Sequence, residues 1–157
     1  MSGPIDMVTG YLDENGVDHE VIEHPERFTA AAEARAAGVG PDDAAKDVVL
    51  RNGDAYVLAV IPASERLDLK KVQRLLDGED RPRLATEDEL AADFPEFDLG
   101  ALPPFGPIHD IPEIVDRRLL DHDRVLCAGG DHRHSLRIDP NEIVRLANAR
   151  VADLCQD

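Results

Sequence analysis

The chain is short of most residues that announce a familiar active site. Only two cysteines occur, Cys127 and Cys155, each in an apolar context. That excludes a disulfide framework or a cysteine-rich metal centre and leaves reduced, buried thiols as the expectation. No apolar run approaches the roughly 18 residues a membrane-spanning helix needs, and Met1 to Asp6 has neither the basic nor the apolar region of a signal peptide. The expected compartment is therefore the cytoplasm, with no membrane partner. No Gly-x-Ser-x-Gly elbow, Walker loop, His-Glu-x-x-His or Cys-x-x-Cys is present, which removes the common nucleophile and metal signatures. Repeats, low-complexity tracts and long linkers are also missing, so all 157 residues are read as one domain.

Lysine is the scarcest of the charged residues. Lys46, Lys70 and Lys71 are the only three among 17 basic residues, against 33 acidic ones, for a net charge of -16. An acidic excess with few lysines is the surface habit of proteins kept soluble in very salty cytoplasm, so a halophilic character is expected. The same charge argues against an extended nucleic-acid face, which needs basic residues. Lys70, Lys71, Arg74, Arg81 and Arg83 outweigh Asp77, Glu79 and Asp80, so positions 70–83 offer either a solvated helix face or a small phosphate-contacting patch.

Helices and strands alternate irregularly. Ile5, Val8, Tyr11 and Leu12 fall at helical spacing and Asn15-Gly16 stops that helix. His19 to Glu23 reads as a strand, Thr29 as the cap of an alanine-rich helix ending at Gly38, and Pro41 as a new turn. Lys46 to Arg51 and Ala55 to Ile61 flank Asn52-Gly53, a strong hairpin signal. Asp68 caps a helix that Gly78 stops, and Thr86 with Glu89 forms a capping box. Short strands are expected at Glu113–Asp116, Arg124–Ala128 and Ser135–Ile138, then a helix opened by Asp139-Pro140 with Glu142 as a capping box, then an edge strand at Val151–Leu154. The reading is an α+β domain on a mixed sheet.

Three features could carry chemistry. Leu99 to Gly106 is uncharged, and its two glycines and two prolines exclude a helix interior or a central strand. It suits close backbone approach to a ligand, or a buried connector. Lys46 opens an apolar strand, where its ammonium can serve phosphate or backbone carbonyls, or simply cap a sheet edge. His132 and His134 share one face of an extended segment, which permits a metal site, although no third ligand stands at a characteristic spacing.

These features recur in a telling order: Lys46-Asp47-Val48-Val49-Leu50, then Tyr56 to Ala63, Gly100-x-x-x-Pro104-x-Gly106, and Ala128-Gly129-Gly130 ahead of Ser135 to Ile138. The combination resembles the YbaK family of prolyl-tRNA synthetase-associated editing domains from about Thr29 to the C-terminus, including Arg66 to Lys71. The resemblance implies a mixed, partly barrel-like sheet surrounded by helices. It also implies a free-standing deacylase that clears a mischarged small amino acid, such as alanine or cysteine, from tRNA, typically tRNA for proline. It makes Lys46, Gly100, Ala101 and Pro104 the catalytic positions. Leu102, Pro103, Gly106, Gly129, His132, His134, Lys70 and Lys71 are the expected substrate contacts.

An aminoacyl ester is already activated, so such a site needs a water, positioning and N–H donors for the oxyanion, with neither cofactor nor metal. Lys46 would hold the loop carbonyls or the terminal phosphate, and the substrate's ribose hydroxyl would help move the proton. Asp131 to His134 departs from many relatives and is expected to line the amino-acid pocket, a histidine meeting the amino group. Expected partners are the aminoacylated tRNA acceptor end and a synthetase, for a monomer or weak dimer. The rival readings are a catalytically silent module that binds aminoacyl-tRNA or a synthetase, and a metal hydrolase built on His132 and His134.

Overall fold

Strand β3 (Ala55–Pro62) is the apolar spine of the structure, a computed structural model that describes residues 3–76 and 81–157. Its side chains alternate between two buried faces. Leu58 and Val60 join the main core, while Val57, Ala59 and Ile61 join a second cluster beneath Val72 of α3 (Leu69–Leu75). A strand covered on both faces reads as a continuous apolar run, and this one does.

β3 pairs antiparallel with β2 (Ala45–Asn52) through the Asn52-Gly53 hairpin, where Gly53 takes φ +65° as such a turn requires. It also pairs parallel with β5 (Glu113–Asp116), which pairs parallel with β8 (Arg150–Ala152). With the two-residue β4 (Arg83–Leu84) on the far edge, the five-stranded order is β4-β2-β3-β5-β8. A second, three-stranded sheet runs β1-β7-β6, from His19–Glu23, His134–Ile138 and Val125–Ala128. The sheets meet at a parallel bridge between Ala44 and Leu126. The mixed, partly barrel-like arrangement expected from sequence is thus built as two sheets hinged at one bridge.

The helices form where the sequence provides their ends. Pro4 starts α1 (Pro4–Glu14), which sends Val8 and Leu12 into the main core. The Thr29 hydroxyl accepts from Ala32 N at 3.1 Å and opens α2 (Ala30–Ala36). Thr86 and Glu89 close their capping box on α4 (Glu87–Asp93). α6 (Pro140–Ala147) departs from expectation: Asp139 caps it through Asn141 N, but Glu142 pairs with Arg145 and makes no box. A short helix, α5 (Gly106–His109), begins where the glycine–proline loop ends. The Gly78 stop signal, Asp77, Glu79 and Asp80 lie outside the described residues. Cys127 and Cys155 are buried free thiols.

Candidate active site

Strand periodicity puts Asp47 on the same face of β2 as Ala45 and Val49, both core residues, while Lys46 leaves on the face of Val48 and Leu50. At the start of the strand both residues nevertheless border one cleft of about 220 Å³, together with Phe28, Glu33, Gly100 and Ala128. The Lys46 ammonium donates to the Glu65 carbonyl at 3.0 Å. That partner lies in the turn after β3 and not in the Gly100–Pro104 loop, a correction to the expected anchor. Two ammonium protons remain for other acceptors.

The loop itself opens on a tight turn. Ala101 N donates to the Asp98 carbonyl at 3.0 Å, and Gly100 stands third in that turn with φ +82°, the left-handed conformation a type II turn needs there. The backbone of Gly100 is thereby presented to the cleft without a side chain in front of it. The same bond engages the Ala101 amide, whereas the Gly100 amide has no acceptor among the described residues. On the other side of Gly100 lies a smaller apolar chamber of about 60 Å³, walled by Val49, Phe94, Phe97 and Leu102, with Asp47 on its rim.

The cleft is electrostatically unusual. Both carboxylate oxygens of Asp47 are shielded from solvent and neither has a hydrogen-bond partner among the described residues. Burial, then the neighbouring Glu33, holds this acid well above the usual carboxylate range. Glu33, only 8% exposed, is pushed up to about 7 by burial and then by Asp131. Behind them Glu113 rises to about 10, through burial and then Asp47. Its partner His109 is lowered to about 4 by burial and is therefore neutral. Ile111 N donates to His109 Nδ1, so Nε2 carries the proton and donates to Glu113 Oε1 at 2.9 Å.

The remaining predicted contacts scatter. His132 lies at the mouth, its ring 4.9 Å from that of Phe28. His134 turns instead to Asp131 at 2.9 Å and Glu23 at 3.7 Å, so the two histidines do not converge on a metal or on an amino group. Leu102 serves the apolar chamber, while Pro103 and Pro104 are buried in the loop. Gly106 is a packing residue: a Cβ there would meet the Ala147 backbone at 2.8 Å. Gly129 lies against His134 and Ile5 for the same reason. Lys71 donates to Asp153, Asp157 and the Cys155 carbonyl, which makes it a clamp on the C-terminus, and Lys70 borders a separate groove with Arg81 and Gln156. Among the described residues the metal-competent grouping is Asp42, Asp43 and His122, which includes neither His132 nor His134.

Asp47 and Glu33 were missed from sequence. The signal for Asp47 was there: one carboxylate at a core-facing position of an apolar strand, two residues from Ala45 and Val49.

Comparison with known proteins fixes the context. The model of the aminoacyl-tRNA editing domain matches residues 24–146, which includes every residue lining the cleft. The chain belongs to this family. Among solved structures, a candidate trans-editing enzyme for prolyl tRNA synthetase superposes with a TM-score of 0.86 at 32% identity, covering 100% of this chain and 99% of that one. A protein from work on epitope backbone grafting onto scaffold proteins matches at 30% identity with a TM-score of 0.86 over 100% of this chain and 99% of its own. A hypothetical protein matches at 25% identity and a TM-score of 0.86, over 95% and 99% of the two chains. No curated protein matches. Within the matched region, one cleft is lined by a β2 lysine, an open glycine backbone and an aromatic ring.

Proposed function

We propose that the chain is a free-standing aminoacyl-tRNA deacylase that hydrolyses the ester of a mischarged small amino acid on tRNA, with tRNA for proline as the first substrate to test. The observation that carries this reading is that Lys46 and Gly100, from distant parts of an editing domain, line the same cleft. The Phe28 and His132 rings at its mouth offer faces on which the terminal base can stack. The free protons of the Lys46 ammonium can meet the terminal phosphate or the ester oxygens.

Water attacks the ester carbonyl carbon, the bond from that carbon to the ribose oxygen breaks, and the proton passes to the departing oxygen with the help of the neighbouring ribose hydroxyl. The Gly100 amide is the donor available to the developing oxyanion. The products are a free amino acid and an uncharged tRNA, and no side-chain nucleophile is required.

The test is a turnover screen of purified protein against tRNA for proline charged with alanine, cysteine and serine. Rapid release of one of them is the expected result. Binding without release across the panel would instead favour the silent module, a reading that draws its own support from the engaged Ala101 amide.

A further inference from the structure

The mechanism above uses Lys46 and Gly100 and leaves Asp47 without a task. An acid with both oxygens enclosed and no partner is costly, because buried carboxylates are ordinarily paired or hydrogen-bonded. Asp47 borders the cleft and the apolar chamber alike, and in both cavities its neighbour is Gly100. Glu33 lines the same cleft and makes no ion pair among the described residues. The one lysine lining it donates to the Glu65 carbonyl and forms no ion pair with either acid among the described residues. The cleft therefore holds two acids without a cationic partner, and they share its lining with the Gly100 backbone that would receive the ester carbonyl.

An amino-acid ester carries such a cation two bonds from its reacting carbon. We propose that Asp47, with Glu33 as the second wall, is the seat for the substrate's free α-ammonium group. The inference rests on reading the cleft as a deacylase site and adds a chemical criterion: the acyl group must bear an unblocked, charged amine. A group held at Asp47 places the adjoining carbonyl beside Gly100, so recognition of the amine doubles as orientation of the ester. The histidines once expected to meet that amine are turned to Phe28 and to Asp131. An entering ammonium favours the ionised form of Asp47, which gives up its proton to solvent, and the rotamer that faces the cleft.

The test compares two non-hydrolysable analogues of the charged terminal adenosine, an amide-linked alanyl form and its lactoyl isostere, in which a hydroxyl replaces the ammonium. Calorimetry on wild type should give the alanyl analogue at least about tenfold tighter binding. Asp47→Asn should abolish that preference by weakening the alanyl analogue alone, and Glu33→Gln should reduce it partway. A merely structural role would weaken both analogues together. Equal binding of the two by wild type, binding of neither, or full discrimination in Asp47→Asn would overturn the proposal. The parallel turnover assay on alanyl-tRNA separates the two readings: no hydrolysis alongside a clear alanyl preference removes the deacylase and leaves the ammonium seat standing.

Discussion

Two acidic neighbourhoods in this molecule are built from the same side chains and behave in opposite ways. At the C-terminal seam the side chains of Asp116, Asp153 and Asp157 are all paired. Asp116 accepts from Arg118 N at 2.9 Å, Leu154 N at 2.8 Å and the Cys155 thiol at 3.3 Å. Asp153 takes Lys71 and Arg118, whose hydrogen bonds hold its carboxyl well below the usual range. Burial and the Asp116 bond push the Cys155 thiol up to about 12, so it stays a protonated donor. In the cleft, by contrast, Asp47 has no partner and Glu33 is held up near 7. Saturated acids fasten the last strand to α3 and β5; unsaturated ones keep a capacity for a cation from outside. Burial is common to Asp116 and Asp47, and pairing is what separates them.

The largest effect that could break this contrast is at the seam. Asp116→Ala should lower unfolding free energy by about 2–4 kcal/mol in urea titrations, because it leaves two buried donors, Leu154 N and the Cys155 thiol, without an acceptor while Arg118 keeps Asp153. Deacylation per folded molecule should be unchanged. In the cleft the pattern reverses: Lys46→Ala should reduce single-turnover hydrolysis on the order of 100-fold, with a melting temperature close to wild type.

Glu113 sharpens the comparison through pH. Its folded value near 10 lies above the ordinary 4.5, so between these limits the native state holds a proton that the unfolded chain releases. Stability from this group therefore falls as pH rises through that window. Glu113→Gln removes the titration and should stabilise the protein by on the order of 1–3 kcal/mol at pH 8, with the gain shrinking toward pH 5. A uniform effect at all pH values would contradict the assignment. The smallest expected effect concerns the whole surface. With a net charge of -16, dialysis from high to low salt should lower the melting temperature by a few degrees through unscreened repulsion.

Much of the fold was legible because its signals are local. Asn52-Gly53, the Thr29 and Asp68 caps and the Thr86–Glu89 box each specify geometry within a few residues. Lys46 and the Gly100 loop stood out by composition, and the resemblance joined them into one site. What local reading leaves out is long-range. Lys71 looked like a phosphate contact because its local window is basic, yet its partner Asp153 is 82 positions away. Gly106 looked like part of a ligand loop, although its close neighbour is Ala147 on α6. His134 pairs along the sheet with Glu23 because β1 and β7 run antiparallel, a register that spacing alone does not reveal. Asp47 needed the strand's phase to be taken literally at a charged residue, against the habit of assigning charges to the surface.

The central claim is that the β2 lysine, its acidic neighbour and the open glycine turn act on one ligand. It is tested most directly by titrating isotope-labelled wild-type protein with the amide-linked alanyl analogue and following backbone amide resonances. The account predicts saturable shifts confined to residues 28–33, 46–47 and 98–102. Shifts centred on Lys70 and Lys71, with the Gly100 turn unmoved, would contradict it.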